Sequence, residues 1–473
     1  MNLRTLVLVD GEHYPPVVRA TVDELRAAGN DVVGAALLGG SEKLRVDEVP
    51  DYGLAPEAVV TGATSLDALL AGLERFEPDE VVDLSDEPVV DARTRMLLAA
   101  HTLRHGVHYR GADFRFEPPP RPHLAAKPSV AVIGTGKRTG KTAIASAAAR
   151  ALATRGCAPV IVAMGRGGPS EPEIVDPAST DLTPAALLAR ADAGRHAASD
   201  HLEDALTAGV TTVGTRRCGG GLAGAPVSST FADGVALANT RPERLLLFEG
   251  SGAAIPPVHA DATLCVVPAT ADPEVTTGYL GPYALLLSDL VVVTLSEVGP
   301  PGSGRVAERP ERSERLGQVD SRSEDRLVDR IRSIIPDTPV VRTVLRPWPL
   351  ASIAQRSIFF ATTAPEPAAA RSAAHLESRH HATVVGWTSH LSERARLVED
   401  LARLPDGVEV LVTELKAAAV DVATRSALER GMEVIYCDNR PEPVSPGDGA
   451  DELDAAVSTV AELAARRFEA ASP

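Results

Sequence analysis

A glycine-rich stretch between a buried strand and an alanine-rich helix restricts the fold of this chain more than any other feature of the sequence. The β-branched apolar run at residues 130–133 predicts the strand, and residues 143–153 predict the helix. Between them, residues 134–142 read Gly-Thr-Gly-Lys-Arg-Thr-Gly-Lys-Thr. A strand, a glycine-rich turn, Gly-Lys-Thr and a helix in this order predict a phosphate-binding P-loop in a parallel α/β sheet.

The chemistry of phosphate binding explains the residue types in this loop. Glycines let backbone N–H groups approach phosphate oxygens, and the N-terminus of the following helix adds its positive dipole end. We expect Lys141 to reach the β- and γ-phosphates of ATP and the Thr142 hydroxyl to hold Mg²⁺. The loop residues expected to bind ATP are Gly134, Thr135, Gly136, Lys137, Arg138, Thr139, Gly140, Lys141 and Thr142.

One position departs from the strict P-loop pattern. That pattern places a glycine five residues before Gly140, where this chain has Thr135, with glycines on either side of it. A loop of this length resembles that of the dethiobiotin-synthetase-like branch of P-loop proteins. The alternative is an incidental glycine–threonine turn that carries surface lysines, and the flanking strand and helix favour the P-loop.

Composition limits the kind of protein and its partners. At 473 residues the chain is too long for one core, so two or three domains are expected. The net charge of −17 argues against general binding to nucleic acid or to a membrane surface. The four cysteines form no Cys-x-x-Cys pair, and no signal-peptide pattern or apolar run of about 18 residues is present, so we expect a cytoplasmic protein.

Alternating strands and helices predict three α/β domains. Residues 1–125 are expected to form an N-terminal Rossmann-like domain, residues 126–345 a P-loop core with a doubly wound parallel sheet, and residues 346–473 a C-terminal α/β domain. Proline-rich residues 117–122 mark the first boundary. The highly charged segment 297–330 lacks aromatic residues and is expected to be a mobile surface insertion.

A polar cluster follows the first strand, where residues 10–16 read Asp-Gly-Glu-His-Tyr-Pro-Pro. Ligands of parallel sheets bind beyond the carboxyl ends of the strands, so His13 is a candidate substrate ligand. The other interpretation is a capped turn that leads into a helix starting at Pro15 and Pro16. The sequence leaves both interpretations open.

Charged residues also follow later strands. Glu249 ends an apolar strand downstream of the P-loop, where a second contact to Mg²⁺ is expected. Arg166 lies in a glycine-rich strand exit, and Arg216 and Arg217 stand beside three glycines, as an anion cradle requires. Lys416 follows the strand at 408–412. Plain loops, an ordinary strand-end acid and a solvated lysine are the alternatives.

Taken together, the motifs at 10–16, 134–142, 165–173, 216–221 and 249–252 resemble those of the cyclic 2,3-diphosphoglycerate synthetase family. The resemblance covers nearly the whole chain apart from 297–330. It implies ATP-dependent closure of 2,3-bisphosphoglycerate into a cyclic anhydride, with release of ADP and phosphate. It also implies Mg²⁺, a cytoplasmic location and a homodimer.

The residues themselves suit this chemistry, because joining two phosphates within one molecule requires several convergent cations. We expect Lys141, Lys137 and Glu249 to be catalytic, with Lys137 neutralising charge that develops during transfer. The substrate ligands expected are His13, Arg166, Arg216, Arg217 and Lys416, and the Mg²⁺ ligands are Thr142 and Glu249. Two other functions fit a P-loop: a carboxylate-activating ligase of the dethiobiotin-synthetase type, which needs fewer cations, and a nucleotide-dependent switch ATPase.

Overall fold

The computed structural model of the chain describes residues 2–40, 50–297, 321–444 and 451–471. These residues cluster into two compact units. The first unit comprises Met1–Pro120, Asp272–Leu287 and Ser333–Pro336, and the second comprises Arg121–Ala271, Ser288–Arg332 and Asp337–Pro473. The domain boundaries at residues 125 and 345 stay predictions, because a compact unit can hold more than one domain.

The strands alternate with helices along most of the chain. In chain order the described strands are β1 (Arg4–Val9), β2 (Asp31–Leu37), β3 (Val59–Thr61), β4 (Glu80–Asp83), β5 (His108–Arg110), β6 (Arg115–Phe116), β7 (Ser129–Gly134), β8 (Pro159–Gly165), β9 (Glu173–Val175), β10 (Thr212–Cys218), β11 (Ser228–Ser229), β12 (Leu245–Glu249), β13 (Ala262–Pro268), β14 (Leu290–Thr294), β15 (Val340–Pro349), β16 (Ser357–Ala361), β17 (Thr383–Thr388), β18 (Val410–Glu414) and β19 (Glu433–Pro443).

The described α-helices, also in chain order, are α1 (Pro15–Ala27), α2 (Ser65–Phe76), α3 (Ala92–Arg104), α4 (Lys141–Thr154), α5 (Pro184–Asp192), α6 (Asp200–Ala208), α7 (Phe231–Asn239), α8 (Pro273–Thr276), α9 (Gly281–Leu286), α10 (Ser321–Ile334), α11 (Glu366–His380), α12 (Arg394–Ala402), α13 (Arg425–Glu429) and α14 (Asp451–Ala471). A 3₁₀ turn covers Pro56–Ala58 and a π-helical turn covers Ala419–Thr424. No described helix combines the length and the apolar character needed to cross a lipid bilayer.

The first unit contains a mainly parallel sheet in the order β3-β2-β1-β4-β5-β6. The apolar strand β1 lies at its centre, where Val7 pairs with Ala35 on one side and with Val82 on the other. Helix α1 packs on this sheet through Val18 and Val22, which are four residues apart and therefore lie on one helix face. Only the short β6 runs antiparallel within this sheet.

The second unit is organised around β7, which lies between β12 and β13 in a parallel arrangement. The sheet order is β11-β10-β8-β12-β7-β13-β14-β15-β19-β18-β16-β17, with β9 paired to β10. Alanine-rich α4 covers the β7 region and shares a core with it, because small side chains allow the helix to pack closely on the sheet. The predicted α/β fold with a parallel P-loop sheet is confirmed.

Strand β15 joins the P-loop part of this sheet to the C-terminal part. Its first half pairs in parallel with β14, and its second half pairs antiparallel with β19. The P-loop region and the C-terminal region of the second unit therefore share one continuous sheet. Strands β16, β17 and β18 extend it in parallel with β19.

The expectation of a mobile insertion over 297–330 is wrong for its last ten residues. Residues 321–334 form α10, which buries Leu327, Val328 and Ile331. These three residues lie on one face of a helix that is otherwise highly charged, so the charge density concealed an amphipathic pattern. Residues 298–320 lie outside the described part of the chain.

Candidate nucleotide and substrate site

The side chain of Lys141 folds back over the loop that precedes it. Its Nζ donates to the Gly136 carbonyl at 2.6 Å and to Thr139 Oγ1 at 3.2 Å, and the residue is 7% exposed. A Cβ at position 134 would lie 2.9 Å from Lys141 Cγ and 3.0 Å from Thr139 Oγ1. Gly134 therefore makes room for the lysine, which gives a physical reason for the displaced glycine.

The end of the loop is fixed by the surrounding sheet. Gly140, immediately before α4, has a left-handed backbone with φ of 89°, and a Cβ there would lie 3.1 Å from Leu345 Cδ1. The Thr139 carbonyl accepts a hydrogen bond from Thr294 Oγ1 at 2.6 Å. Helix α4 thus begins at Lys141 with its N-terminus held against β14 and β15, in the orientation that favours a phosphate group.

Lys137 and Arg138 form the exposed tip of the loop. Arg138 has φ of 60°, a left-handed conformation that is uncommon for a residue with a side chain. Neither side chain forms a hydrogen bond or ion pair with another described residue. Their predicted contacts with ATP, and the catalytic role of Lys137, stay predictions.

Glu249 lies next to the P-loop because β12 is the neighbour of β7 in the sheet. It is 2% exposed, and its Oε1 accepts a hydrogen bond from Thr142 Oγ1 at 2.7 Å. Its Oε2 is buried, and the Glu249 carboxyl group shares a side-chain hydrogen bond with the Asp204 carboxyl group. Burial, reinforced by the nearby Asp200 charge, raises the pKa of Glu249 to about 7.

The same burial acts on Lys141 in the opposite direction. Removal from water lowers the pKa of Lys141 to about 8, and the attraction of Glu249 and Asp200 offsets only part of that effect. The charged forms of Lys141 and Glu249 are therefore both poorly solvated. A phosphate and a divalent cation would stabilise them together, because each would supply the opposite charge at short range.

Helix α6 brings further acids that the sequence reasoning did not assign to the site. Asp204 is fully buried and its carboxyl group faces that of Glu249, while Ser146 Oγ donates to Asp204 Oδ1 at 3.3 Å. Burial and the Glu249 charge hold the pKa of Asp204 well above its usual range. The signal available in the sequence was the spacing of Asp200, Glu203 and Asp204 on one helix face.

The oxygen atoms of Thr142 and Glu249 fit a Mg²⁺ ion. Mg²⁺ prefers hard oxygen ligands and keeps several waters and substrate phosphates in its shell. The buried Oε2 of Glu249 is a further oxygen that such an ion could use. Among the described residues no group of three or more His, Cys, Asp or Glu side chains is placed to hold a metal by itself.

Two of the predicted arginines converge at Gly252, three residues after Glu249. A Cβ on Gly252, which has φ of 62°, would lie 2.8 Å from Arg166 Nη2 and 3.1 Å from Arg217 Nη2. Arg217 donates to the carbonyls of Ser251 and Gly219 at 2.7 and 2.6 Å, and burial together with Arg166 lowers its pKa. Two guanidinium groups this close repel each other, so an anion between them would be stabilised.

Arg216 does not join this pair. Arg216 and Arg217 are neighbours on β10 and do not lie in a glycine-rich turn. Successive side chains of a strand point to opposite faces, so these two side chains point in opposite directions. Arg216 is exposed and its backbone N–H donates to Thr230 Oγ1 at 3.1 Å. No described contact joins its side chain to Arg166 or Arg217, and its role as a substrate ligand stays a prediction.

Lys416 is held by α6. Its Nζ donates to both carboxylate oxygens of Glu203, at 2.7 and 2.6 Å. Attraction by Glu203 and Glu414 outweighs burial and raises the pKa of Lys416, so the lysine is charged. Glu414 itself accepts hydrogen bonds from Thr362 and Thr363. A substrate role for Lys416 stays a prediction, and its described partner is a protein carboxylate.

His13 belongs to the first unit, where a capped turn is present. The buried Asp10 carboxylate accepts hydrogen bonds from His13 Nδ1 at 2.8 Å and from the backbone N–H groups of Glu12, His13 and Asp86. The helix α1 starts directly afterwards with Pro15 and Pro16. The geometry is that of the capped-turn interpretation, and a ligand role for His13 stays a prediction.

The β7–loop–α4 unit, with a buried lysine, a threonine and a carboxylate from the neighbouring strand, defines a P-loop nucleotide-binding protein. Three family profiles match the chain: "Cyclic 2,3-diphosphoglycerate synthetase, N-terminal domain" at residues 4–117, the P-loop domain of the same family at 129–308 and its C-terminal domain at 349–440. The chain belongs to the cyclic 2,3-diphosphoglycerate synthetase family, so the assignment from motifs is confirmed.

Curated relatives match almost end to end. A protein of Rubrobacter xylanophilus is 44% identical over 98% of both chains. One from Methanothermobacter thermautotrophicus is 42% identical over 98% of this chain and 97% of its own, and one from Methanothermus fervidus is 39% identical over 98% of both. All three are named cyclic 2,3-diphosphoglycerate synthetase. The crystal structure of LpxK from Aquifex aeolicus with ATP covers 72% of this chain and 90% of its own at 12% identity, with a TM-score of 0.40, too low to support an argument.

Proposed function

We propose that this chain closes 2,3-bisphosphoglycerate into its cyclic phosphoanhydride and converts one ATP into ADP and phosphate in each turnover. Membership of the family supports the reaction class. The observation that carries the proposal is the convergence of Arg166 and Arg217 at Gly252, three residues after Glu249. A substrate with two phosphates and a carboxylate needs such paired cations, because closing the ring forces its negative charges together.

The geometry of the loop supports a set of proposed roles around ATP. The backbone of residues 134–142 and the N-terminus of α4 bind the phosphates, and Lys141 binds the β- and γ-phosphates. Lys137 at the exposed tip neutralises charge on the transferred group. Thr142 and Glu249 hold Mg²⁺, which when bound shields the phosphate charges from one another.

Two successive displacements account for the products. An oxygen of one substrate phosphate attacks the γ-phosphorus of ATP, so that the bond from the γ-phosphorus to the bridging oxygen breaks and ADP leaves. The other substrate phosphate then attacks the phosphorus that has just been extended, and the bond to the added phosphoryl group breaks, releasing inorganic phosphate. Catalysis in both steps comes from positioning and charge stabilisation.

A carboxylate-activating ligase is the second candidate function, and the paired cations argue against it. Such an enzyme handles a substrate with fewer negative charges and has less need of two adjacent guanidinium groups beside the metal carboxylate. The pairing of Arg166 with Arg217 therefore favours the phosphoanhydride reaction. A cytoplasmic location and a homodimer are further parts of the proposal and rest on the family resemblance alone.

The proposal is tested by the dependence of ADP release on 2,3-bisphosphoglycerate. We expect the substrate to stimulate ADP release strongly in the presence of Mg²⁺. Lys141→Ala should abolish turnover, because no other described lysine is buried against the loop. Arg217→Ala should raise the KM for 2,3-bisphosphoglycerate about 10- to 100-fold, the expected effect of losing a charged hydrogen bond, with a smaller change in kcat.

Two outcomes would contradict the proposal. One is ATP hydrolysis at a rate that does not depend on 2,3-bisphosphoglycerate, as a switch ATPase would show. The other is full turnover in Lys141→Ala, which would remove the P-loop from the reaction.

A further inference from the structure

A group of cationic side chains surrounds Trp348 in the second unit. None of its residues belongs to the site described above. We call this group the tryptophan cluster, and it consists of Trp348, Arg346, Arg371, His375, Arg379, His380 and Arg440. It is built from the two antiparallel strands β15 and β19 and from helix α11.

The two strands place like charges opposite each other. Arg346 and Arg440 are direct partners in the antiparallel ladder, and like charges in such a pair destabilise a sheet. The guanidinium carbon of Arg440 lies 4.3 Å from the centre of the Trp348 ring. That cation–π contact stabilises one arginine, and it does not neutralise its charge.

Helix α11 adds cations to the same place. Arg371, His375 and Arg379 follow one another at intervals of four residues, so they lie along one face of the helix. The Arg379 guanidinium carbon is 5.4 Å from the Trp348 ring centre, and the His380 ring meets the indole edge-on at 5.0 Å. A helix and two strands therefore direct positive charge toward one aromatic ring.

The carboxylates in contact with the cluster are too few to balance it. Glu297 pairs with Arg346 at 2.5 Å and is approached by Arg371 at 3.5 Å. Asp438 is shared in the same way, by Arg150 of α4 at 2.8 Å and by Arg440 at 3.4 Å.

Among the described residues, Arg379 has no ion-pair partner at all. Each of the two carboxylates already serves two arginines. The cluster is thus an excess of positive charge in a chain whose net charge is −17.

Each of the two histidines has one buried ring nitrogen without a partner in the described part of the chain. Nε2 of His375 and Nε2 of His380 are buried and have no hydrogen-bond partner among the described residues. Burial lowers the pKa of both rings, and the charged neighbours that lower it further are Arg346 and Arg379 for His375, and His375, Arg379 and Arg440 for His380. An anion bound beside the rings would favour their protonated forms, in which each Nε2–H donates to an anionic oxygen, and it would also relieve the repulsion among the arginines.

We propose that the tryptophan cluster binds a small anion with two or more phosphoryl groups, at a second site separate from the ATP site. Guanidinium groups bind phosphate oxygens in pairs, and four of them on three elements suit an anion with several charged oxygens. No member of the cluster lies in the loop at residues 134–142 or on β12, although Leu345, the residue before Arg346, lies against Gly140. Binding in Lys141→Ala therefore tests whether the two sites are separate.

The fluorescence of Trp348 can report binding directly. The chain contains two tryptophans, so Trp348 is the one tryptophan that remains in the Trp387→Phe variant. The variant is titrated with pyrophosphate in the absence of ATP and Mg²⁺, with sodium chloride at equal ionic strength as control. We expect a saturable change in Trp348 fluorescence with pyrophosphate and none with chloride. Parallel titrations with 2,3-bisphosphoglycerate and with inorganic phosphate distinguish a metabolite from an inorganic ligand.

Matched variants locate the binding. Arg379→Gln should weaken pyrophosphate binding about tenfold or more. Arg430→Gln, which removes the same charge from an exposed residue outside the cluster, should leave it unchanged, and so should Lys141→Ala. Unchanged affinity in Arg379→Gln, loss of binding in Lys141→Ala, or inorganic phosphate binding as tightly as pyrophosphate would each overturn the proposal.

A second readout covers the case in which Trp387→Phe does not fold. Calorimetric titration of Lys141→Ala with pyrophosphate needs no fluorescence, and the ATP site of this variant lacks its phosphate-binding lysine. Saturable heat that falls when Arg379→Gln is added supports the second site. No saturable heat, or heat that Arg379→Gln does not change, overturns it.

Discussion

Position 134 controls the conformation of Lys141, because only a glycine there leaves room for the lysine side chain to fold over the loop. The strict P-loop pattern asks for a glycine at 135, and sequence comparison with that pattern alone reads the arrangement as a defect. The atoms explain it, since a Cβ at 134 would meet Lys141 and Thr139 within about 3 Å, while a Cβ at Gly136 would meet nothing closer than 3.8 Å. Gly134 is therefore needed to leave room for the Lys141 side chain, whereas Gly136 is not.

This difference gives a paired prediction. Gly134→Ala should weaken ATP binding at least about tenfold, because the added methyl group displaces the buried part of Lys141. Gly136→Ala adds the same methyl group to the same loop and should change the affinity only slightly. Titration of both variants with a fluorescent ATP analogue measures the effect, and equal affinities would show that the contact at 134 does not position the lysine.

The adjacent arginines show where residue-level reasoning from the sequence stops. The three glycines that follow Cys218 predict that Arg216 and Arg217 both belong to one anion cradle. They lie on β10, where the two-residue period of a strand separates them, and only Arg217 approaches Arg166. The sequence does not reveal this separation. The glycines at 219–221 suggest that the loop already includes Arg216 and Arg217, whereas β10 continues to Cys218.

At the scale of elements, α6 connects the P-loop to the C-terminal strands. Asp204 faces the carboxyl group of Glu249, and Glu203 is paired with Lys416. The contacts of this helix depend on the strand order β10-β8-β12-β7, which local sequence patterns do not specify. Long-range order of this kind is the main reason the acids of α6 were missed.

The pair formed by Glu203 and Lys416 can be tested by a double-mutant cycle. Lys416→Met should destabilise the protein by about 1–3 kcal/mol, because Glu203 is left largely buried without a partner, and the partial exposure of Lys416 keeps the figure below that of a fully buried pair. Adding Glu203→Gln should recover most of that loss. Denaturant unfolding of the four proteins measures the coupling.

A different result would assign Lys416 to the substrate. If Lys416→Met leaves stability unchanged and raises the KM for 2,3-bisphosphoglycerate, the lysine acts on the substrate and the ion pair contributes little.

His201, on the same helix, predicts how stability depends on pH. It is 2% exposed, and burial lowers its pKa from 6.5 to about 4. Between these values the unfolded chain binds a proton that the folded chain does not, so stability falls as the pH decreases from 6.5 to 4. Complete expression of that shift corresponds to about 3 kcal/mol.

His201→Gln removes this titration, so the variant should lose less stability than the parent protein over that range. His196→Gln, at an exposed position nearby, serves as control. Thermal unfolding from pH 7 to pH 4 measures the difference, and parallel curves for the parent and His201→Gln would exclude His201 as a source of acid sensitivity.

Secondary structure was predictable where the pattern of apolar residues is local. Strand β7 (Ser129–Gly134) and helix α4 (Lys141–Thr154) lie within two residues of the predicted bounds at 130–133 and 143–153, and Glu249 ends its strand as expected. Helix α10 was missed because the high charge of residues 321–334 outweighed its apolar face in the reading of the sequence. A helical period count over that segment would have found it.

At the scale of the whole molecule, a chain with a net charge of −17 concentrates its cations in particular places. One is the pair of Arg166 and Arg217 beside Glu249, and another is the tryptophan cluster. The family and the α/β class followed from the motifs, because a P-loop and its strand exits are local in sequence. The tryptophan cluster did not, because its members come from β15, β19 and α11, which only the folded sheet brings together.

The most direct measurement of the central claim is ³¹P NMR of the protein with Mg·ATP and 2,3-bisphosphoglycerate. The account predicts that both phosphomonoester signals of the substrate disappear, that phosphoanhydride signals of a cyclic product appear, and that one ADP and one inorganic phosphate form for each product molecule. Formation of ADP and phosphate with unchanged substrate signals and no new phosphoanhydride would contradict it.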